Sequence, residues 1–167
     1  MGVNQRNQIL MSDEEISRFI NEQRTATLAT HGPDGTIHLV AMWYGVIDGD
    51  LWIETKLKSQ KAVNLGRNPR CSLMIEDGLT YDQLRGVAIE GTAEIFDDEA
   101  NILACGISVW ERYNGPYTEE MRPFVDQMMN KRVAIRIKAD RTRSWDHRKL
   151  GLPAMPLGGT TAPVSDD

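Results

Sequence analysis

The spacing of apolar residues along the chain alternates between the period of a helix and the period of a strand. Apolar residues within 16–20 are spaced as one face of a helix. Ser12 followed by Glu15 makes a capping box, which predicts the start of this helix, and we expect the helix to end near Arg24. From Thr25 onward the pattern changes to that of strands.

Strands are predicted where apolar and β-branched runs are separated by turn sequences. In the first third of the chain these runs cover residues 25–30, 37–46 and 51–55. The turns between them, His-Gly-Pro-Asp-Gly and Asp-Gly-Asp, are short. Short turns join antiparallel neighbours, so we expect these three strands to form an antiparallel meander.

The rest of the chain predicts three more strands and two more helices. The strands cover residues 71–76, 87–95 and 133–138, and the last one continues into the charged run after it. Gly91 predicts a bulge or a sharp bend in its strand. The helices cover residues 98–113, capped by Asp97 or Asp98, and 118–130.

Several short strands with peripheral helices are typical of a mainly β chain that folds into a small antiparallel barrel. A length of 167 residues fits one domain, which we place at residues 12–150. Residues 1–11 are polar with little pattern, and residues 151–167 are rich in Pro and Gly. We therefore expect a flexible N-terminus and a flexible or extended C-terminal tail.

Composition excludes several functional classes. The net charge is −5 and the isoelectric point is near 5.2, whereas a nucleic-acid-binding protein needs a basic surface. No stretch approaches the roughly 20 apolar residues of a membrane span, and the polar N-terminus is unlike a signal peptide. Cys71 and Cys105 lie in apolar runs, as small core residues of a reduced, cytoplasmic protein do.

No catalytic motif is recognisable, and we assign no catalytic residue. The three histidines, His31, His38 and His147, lack the spacing of a zinc site, so we predict no metal. Phosphate-binding and dinucleotide-binding glycine motifs are missing from the sequence, and so is a nucleophile elbow. If the protein is an enzyme, a cofactor must supply the reactivity.

The stretch from Leu51 to Arg70 predicts a strand, a short loop and a helix that begins after Ser59 and ends at Asn68. A helix N-terminus presents free N–H groups and the positive end of the helix dipole, which suit an anion. Hydroxyl, amide and ammonium groups surround this point, on Thr55, Lys56, Lys58, Ser59, Gln60 and Lys61. A solvated turn with surface lysines is the alternative, but the strand-and-cap context favours a phosphate site.

Two of the four tryptophans have different surroundings in the sequence. Trp52 on a predicted strand is best explained by core packing. Trp145 lies instead in a charged run, where a planar ligand or a partner chain would account for it, and where Arg148 and Lys149 add positive charge. An exposed basic turn explains the same residues equally well.

Two longer patterns include the strand–loop–helix segment 51–70, called the corner below, and the strand predicted at 87–95. The first, T-x-x-x-S-x-K-x-x-x-L-x-x-N-P-R, comprises Thr55, Ser59, Lys61, Leu65, Asn68, Pro69 and Arg70. The second, R-x-V-x-I-x-G-x-A-E, comprises Arg85, Val87, Ile89, Gly91, Ala93 and Glu94. Over residues 15–150 the chain resembles the split β-barrel flavin and deazaflavin proteins related to pyridoxamine 5′-phosphate oxidase. Segments 33–44 and 144–149 are most similar to the branch that uses coenzyme F420.

This resemblance implies a split antiparallel β-barrel, like the FMN-binding Greek-key barrel, assembled as a homodimer with cofactor sites between the subunits. It implies that Thr55, Ser59 and Lys61 hold the cofactor phosphate. It also implies that the backbone of Val40, Ala41 and Met42, on one strand, flanks the cofactor ring. Trp145 would approach this ring from the partner subunit.

Two positions depart from the flavin oxidases of the family. Gln60 stands where those oxidases have Arg, and Gly86 stands where they have Gln. The segment that grips pyridoxine phosphate is present only as the fragment 121–124, which argues against vitamin B6 oxidation.

The leading functional hypothesis is hydride transfer from reduced F420 to an electron-poor small-molecule acceptor. Lys56, Lys58 and Arg148 would suit the acidic lactyl-glutamate tail of that cofactor. An FMN-dependent oxidoreductase of the same fold is one alternative. A non-catalytic flavin or deazaflavin carrier or sensor is another, since no acid–base residue is evident.

Overall fold

The computed structural model describes residues 5–157, which form one antiparallel sheet with helices around it. Its strands are β1 Ala26–His31, β2 Ile37–Met42, β3 Gly45–Ile47, β4 Asp50–Lys56, β5 Arg70–Asp77, β6 Arg85–Phe96 and β7 Arg132–Asp146. Its α-helices are α1 Gln5–Gln8, α2 Asp13–Glu22, α3 Gln60–Arg67, α4 Glu99–Tyr113 and α5 Arg122–Met129. Short 3₁₀ helices cover Glu119–Met121 and His147–Leu150.

The sheet has seven strands in the order β2-β1-β5-β6-β7-β4-β3, and every neighbouring pair is antiparallel. It curls into a half-barrel, so the predicted mainly β fold with peripheral helices is confirmed. The capping box at Ser12 is also confirmed, since Glu15 N–H donates to the Ser12 hydroxyl and the Glu15 carboxylate accepts from Ser12 N–H.

The predicted meander of the first three strands is wrong. The run 37–46 is interrupted at Trp43 and Tyr44, so that β2 pairs with β1 at one edge of the sheet and β3 pairs with β4 at the other. The cause is Tyr44, whose ring is fully buried and whose hydroxyl donates to Ile20 O at 2.6 Å. Its own N–H donates to the Tyr113 hydroxyl at 3.1 Å and not to a neighbouring strand.

The sheet buries two apolar clusters, one on each face. The inner cluster fills the barrel, with Phe19, Leu28, Ile53 and Ile135 among its members. The second cluster lies under α4 and α5, where Trp52 stacks on Phe96 with ring centroids 5.3 Å apart. Trp52 is therefore a core residue, as predicted.

The bulge predicted at Gly91 is confirmed. The pairing of β6 with β7 shifts register between Glu90 and Gly91. A Cβ atom at Gly91 would lie 2.4 Å from the backbone oxygen of Lys138, so the close approach of the two strands requires glycine here. On either side of this register shift, β7 stays paired with β6, and its first part also pairs with β4.

The segment before α2 contacts the end of β7. Ile9 O accepts a hydrogen bond from Asp146 N–H at 2.7 Å, and Met11 N–H donates to the Ser144 hydroxyl at 3.1 Å. Met11 packs into the inner cluster, which supplies the apolar contact that holds the segment. Residues 1–4, and residues 158–167 of the expected tail, lie outside the described residues, while residues 151–157 are exposed and have no helix or strand.

We expect Tyr44→Phe to lower the free energy of unfolding by about 1 kcal/mol in urea titrations, because a buried hydroxyl loses its hydrogen bonds. The cost stays near that value because Arg112 still donates to Ile20 O and Gln23 O, the two acceptors of the tyrosine hydroxyl. Tyr81→Phe, at an exposed tyrosine, is the matched control and should change the free energy by less than about 0.5 kcal/mol.

Burial also raises the pKa of Tyr44 from 10 to about 12. The unfolded chain therefore ionises first, and the stability that Tyr44 contributes is complete below pH 10 and is lost as the pH rises toward 12. Wild type should lose more stability than Tyr44→Phe across this range. Equal losses in the two proteins would contradict the assigned burial of the phenol.

Candidate functional site

The predicted corner is formed where β4 ends and α3 begins. Ser59 is the N-cap of α3, and its hydroxyl accepts from Ala62 N–H at 3.4 Å. The same hydroxyl lies 3.0 Å from the Thr55 hydroxyl, and Thr55 is only 4% exposed. The helix is capped at its other end by Asn68, as predicted. Two hydroxyls therefore meet at the N-terminus of a helix, which is a favourable place for an anion.

The corner is rigid because α3 is anchored to the barrel. Ala62 and Leu65 bury one face of the helix. Asn64 is fully buried between them, and its side-chain amide donates to the Thr30 hydroxyl at 3.0 Å. Thr55 is buried at the end of β4. Groups that bind a ligand are held most precisely by regular elements of this kind.

Lys61 supplies the positive charge of the corner. Burial lowers the pKa of Lys61, Glu54 opposes that effect, and Arg132 adds to it. Glu54 is itself paired with Arg132, whose Nη1 lies 2.5 Å from its carboxylate, and burial raises the pKa of Glu54. Because the Glu54 carboxylate forms its ion pair with Arg132, it does not fully neutralise the Lys61 ammonium. We therefore expect Lys61 to be able to bind an anionic ligand.

A cavity of about 450 Å³ with a largely apolar surface opens beside the corner, and several of the residues around it are cationic. It is lined by Lys56, Leu57, Lys58, Asp97, Lys131, Arg132 and Val133. Lys131 and Arg132 were missed by the sequence analysis, because it predicted no pairing between the ends of these two strands. In the structure Lys56 pairs directly with Arg132, and Lys131 has a positive φ of 58° just before it. The cavity thus carries four cations and one carboxylate in a protein of net negative charge.

The strand that carries Val40, Ala41 and Met42 is β2, at the edge of the sheet. Val40 and Met42 are half-buried against the inner cluster, and Ala41 is exposed on the opposite face. Within residues 5–157, β2 pairs only with β1, so one row of its backbone groups has no strand beside it. An unpaired strand edge can bind the polar edge of a planar ligand.

Gln60 lies at the first position of α3, and its side-chain amide donates to Asn64 Oδ1 at 2.8 Å. It lines a cavity with His38 and the turn between β1 and β2. The Gln60 side chain is therefore partly committed to the helix itself.

Trp145 and Arg148 lie far from this corner in the same chain. Lys56 pairs with Arg132 at the start of β7, whereas Trp145 is thirteen residues further along, at the other end of the strand; at the usual rise this is a length of roughly 40 Å measured along β7. Arg148 binds Asp146 through two hydrogen bonds of 2.8 and 2.6 Å, which raises the pKa of Arg148 and lowers that of Asp146. One chain does not bring these residues to the corner.

The remaining reactive groups do not form a second centre. Burial raises the pKa of Cys71 to about 11 and that of Cys105 to about 12, so both are inert core thiols, as expected. Among residues 5–157, His, Cys, Asp and Glu form no group of three or more that could hold a metal ion. None of the helices in this part of the chain combines the length and apolar character that crossing a membrane requires.

A comparison with protein families shows to which family the chain belongs. The family model for pyridoxamine 5′-phosphate oxidase matches residues 12–146. The chain belongs to this family. A comparison with curated proteins finds no match.

Solved structures of the same split barrel include proteins with different ligands. A conserved hypothetical protein from Mycobacterium tuberculosis is 64% identical over 96% of this chain and 100% of that chain, with a TM-score of 0.91. An F420 reductase is 26% identical over 75% of this chain and 94% of that chain, with a TM-score of 0.59. The heme storage protein of Vibrio cholerae is 15% identical over 80% of this chain and 96% of that chain, with a TM-score of 0.64, and shares the fold alone.

If the corner binds phosphoryl groups, inorganic phosphate at millimolar concentration should raise the melting temperature of wild type by a few degrees, as expected for a ligand that binds only the folded state. Lys61→Met should abolish most of this rise, because it removes the half-buried ammonium beside Ser59. Arg18→Met, an exposed cation on α2, changes the net charge equally and should keep the rise. An equal rise in all three proteins would show that phosphate acts elsewhere.

Proposed function

We propose that this protein is an oxidoreductase that uses reduced coenzyme F420 to reduce an electron-poor small molecule. Membership in the pyridoxamine 5′-phosphate oxidase family supports a flavin-type cofactor. Similarity to an F420 reductase at 26% identity supports the deazaflavin within that class.

The observation that carries the proposal is the group of cationic residues around the cavity beside the corner. FMN ends at its phosphate, which the corner with Thr55, Ser59 and Lys61 would already bind. It would leave the ammonium groups of Lys56, Lys58 and Lys131 around a cavity of about 450 Å³ that has one carboxylate, Asp97, among its lining residues. The lactyl-glutamate tail of F420 continues beyond the phosphate with several carboxylates, which are the natural partners of such ammonium groups.

The residues of the chain fit this cofactor in three places. The hydroxyls of Thr55 and Ser59 and the Lys61 ammonium would hold the phosphate, and the free edge of β2 at Val40–Met42 would hold the ring. Reduced F420 would supply a hydride when bound, and the carbon that replaces N5 of a flavin restricts its ring to hydride chemistry. The protein contributes mainly the position of the acceptor over the ring, which is itself a large source of rate enhancement.

The acceptor would be a small, electron-poor molecule. Within the described residues we assign no side chain as a general acid or base, and the proton would come from water or from a group that is not assigned. An FMN-dependent oxidoreductase remains the alternative, supported by the family itself. A non-catalytic carrier or sensor of the same cofactor is the third candidate, supported by the lack of an assigned acid–base group.

A homodimer completes the proposed site, because Trp145 can reach the corner only from a second copy. The outer face of the sheet offers a surface for that copy. Leu39 of β2 is 63% exposed and Met74 of β5 is 41% exposed, and they share a groove of about 300 Å³ with Ala29 and Ala88. Exposed apolar surface of this kind on a sheet is typical of an interface between subunits.

The proposal predicts the outcome of parallel fluorescence titrations of the protein with F420, FMN and haemin. We expect F420 to bind at least tenfold more tightly than FMN, because only F420 would reach the cationic residues around the cavity beside the corner. Lys61→Ala should weaken F420 about 10- to 100-fold whatever the tail length, since the phosphate loses a charged donor. Preferential binding of FMN or haemin would contradict the assignment.

The double variant Lys56→Ala/Lys58→Ala should act on the tail alone. It should weaken F420 with a long glutamate tail about two- to fivefold, the range for exposed ion pairs, and leave the shortest form nearly unchanged. High salt should reduce the difference, because it screens exposed charges. If the double variant bound all tail lengths as wild type does, the lysines would have no role in tail binding.

The dimer surface predicts the behaviour of a charge placed on it. Leu39→Glu should convert a dimeric wild type into monomers in sedimentation velocity runs, because it puts a charge into an apolar contact. Leu79→Glu, at another exposed leucine away from this groove, is the control and should leave the assembly state unchanged. A monomeric wild type would contradict the proposed site, since that site needs two copies.

A further inference from the structure

Trp145 lies on a glycine of the neighbouring strand. Gly86 of β6 and Trp145 of β7 are directly paired in the sheet. A Cβ atom at Gly86 would lie 2.2 Å from Cζ2, 2.6 Å from Cε2 and 2.8 Å from Cη2 of the indole. Real Cβ atoms essentially never approach other atoms so closely. The indole therefore fills the space that any side chain at position 86 would need.

Space, and not backbone conformation, is what requires glycine at this position. Gly86 is not among the glycines with positive φ, and it pairs regularly with Glu76 of β5 on its other side. An alanine at position 86 would accordingly keep the strand geometry. The atom that has to move is in the indole ring.

The backbone beside Trp145 is fixed by contacts with two other segments. Asp146 N–H donates to Ile9 O at 2.7 Å, and His147 N–H donates to Leu84 O at 2.8 Å. Ser144, on the other side of Trp145, accepts from Met11 N–H. A side chain at position 86 would therefore turn the indole about its own bonds, because the strand cannot retreat.

We propose that Gly86 is a positioning residue that sets the orientation in which Trp145 meets the cofactor of the second copy. This inference rests on the proposed function, in which Trp145 reaches the ring across the subunit interface. Stacking between aromatic rings depends on their distance and tilt. A displacement of about 1 Å by a side chain at position 86 would be enough to lose up to about half of the contact energy.

The test is a double-mutant cycle on the full-length protein, with F420 affinity measured by fluorescence titration and thermal stability measured in parallel. Gly86→Ala and Trp145→Ala should each weaken F420 roughly threefold to tenfold, the loss expected for one aromatic contact. Gly86→Ala in the Trp145→Ala background should cause no further loss of affinity, because the ring that clashed is gone. Gly66→Ala, whose Cβ would meet nothing within 4 Å, is the matched control.

The inference is overturned if Gly86→Ala leaves the affinity unchanged while Trp145→Ala lowers it, or if Trp145→Ala has no effect. It is also overturned if the losses of the two variants add in the double variant, because the glycine would then act independently of the indole. If Gly86→Ala folds too poorly to titrate, the double variant should recover the melting temperature of Trp145→Ala, and failure to recover contradicts the proposal. A wild type that binds no F420 overturns the proposed function, and this is seen before any variant is measured.

Discussion

The candidate site depends on the contact between the Thr55 and Ser59 hydroxyls, which joins the buried end of a strand to the first turn of a helix. Helix α3 is only eight residues long, and a helix of that length is marginal on its own. It exists because Ala62 and Leu65 bury one face in the barrel and because Ser59 caps it. The same packing that stabilises the helix therefore fixes the position of its N-terminus, and Lys61 lies in the first turn of this helix.

Charge adds selectivity to this geometry. The chain as a whole carries a net charge of −5, yet the strand ends next to the corner place four cations around one cavity. Glu54 neutralises part of this charge through its ion pair with Arg132. The remaining ammonium groups face solvent, where an incoming ligand with several carboxylates gains most and a neutral ligand gains little. Under the proposed function, packing would determine where the phosphate binds, and the surrounding cations would select the kind of tail that the phosphate carries.

Features with a local cause were predictable from the sequence. The capping box at Ser12, the start of α3 after Ser59 and the bulge at Gly91 all arise from residues that are neighbours in the chain. The prediction of a meander was wrong because the burial of Tyr44, a tertiary interaction, interrupts the run 37–46, whose sequence has the character of one continuous strand. The roles of Arg132 and Gly86 depend on which strands pair, and that information is not contained in either segment alone. Gly86 is one of the two positions that differ from the flavin oxidases, and the structure explains the glycine, because the indole of Trp145 leaves no space for a side chain there.

The long strand β7 runs from the corner to Trp145. Its first residue, Arg132, pairs with Lys56 at the corner, and its far end carries Trp145, which under the proposed function meets the cofactor of a second copy. A crystal structure of the protein with F420 tests the central claim most directly. The account predicts the phosphate between Thr55, Ser59 and Lys61, with the ring at the junction of two copies and within contact of the Trp145 indole from the second copy. A phosphate bound away from this corner, or a ring enclosed by a single chain, would contradict it.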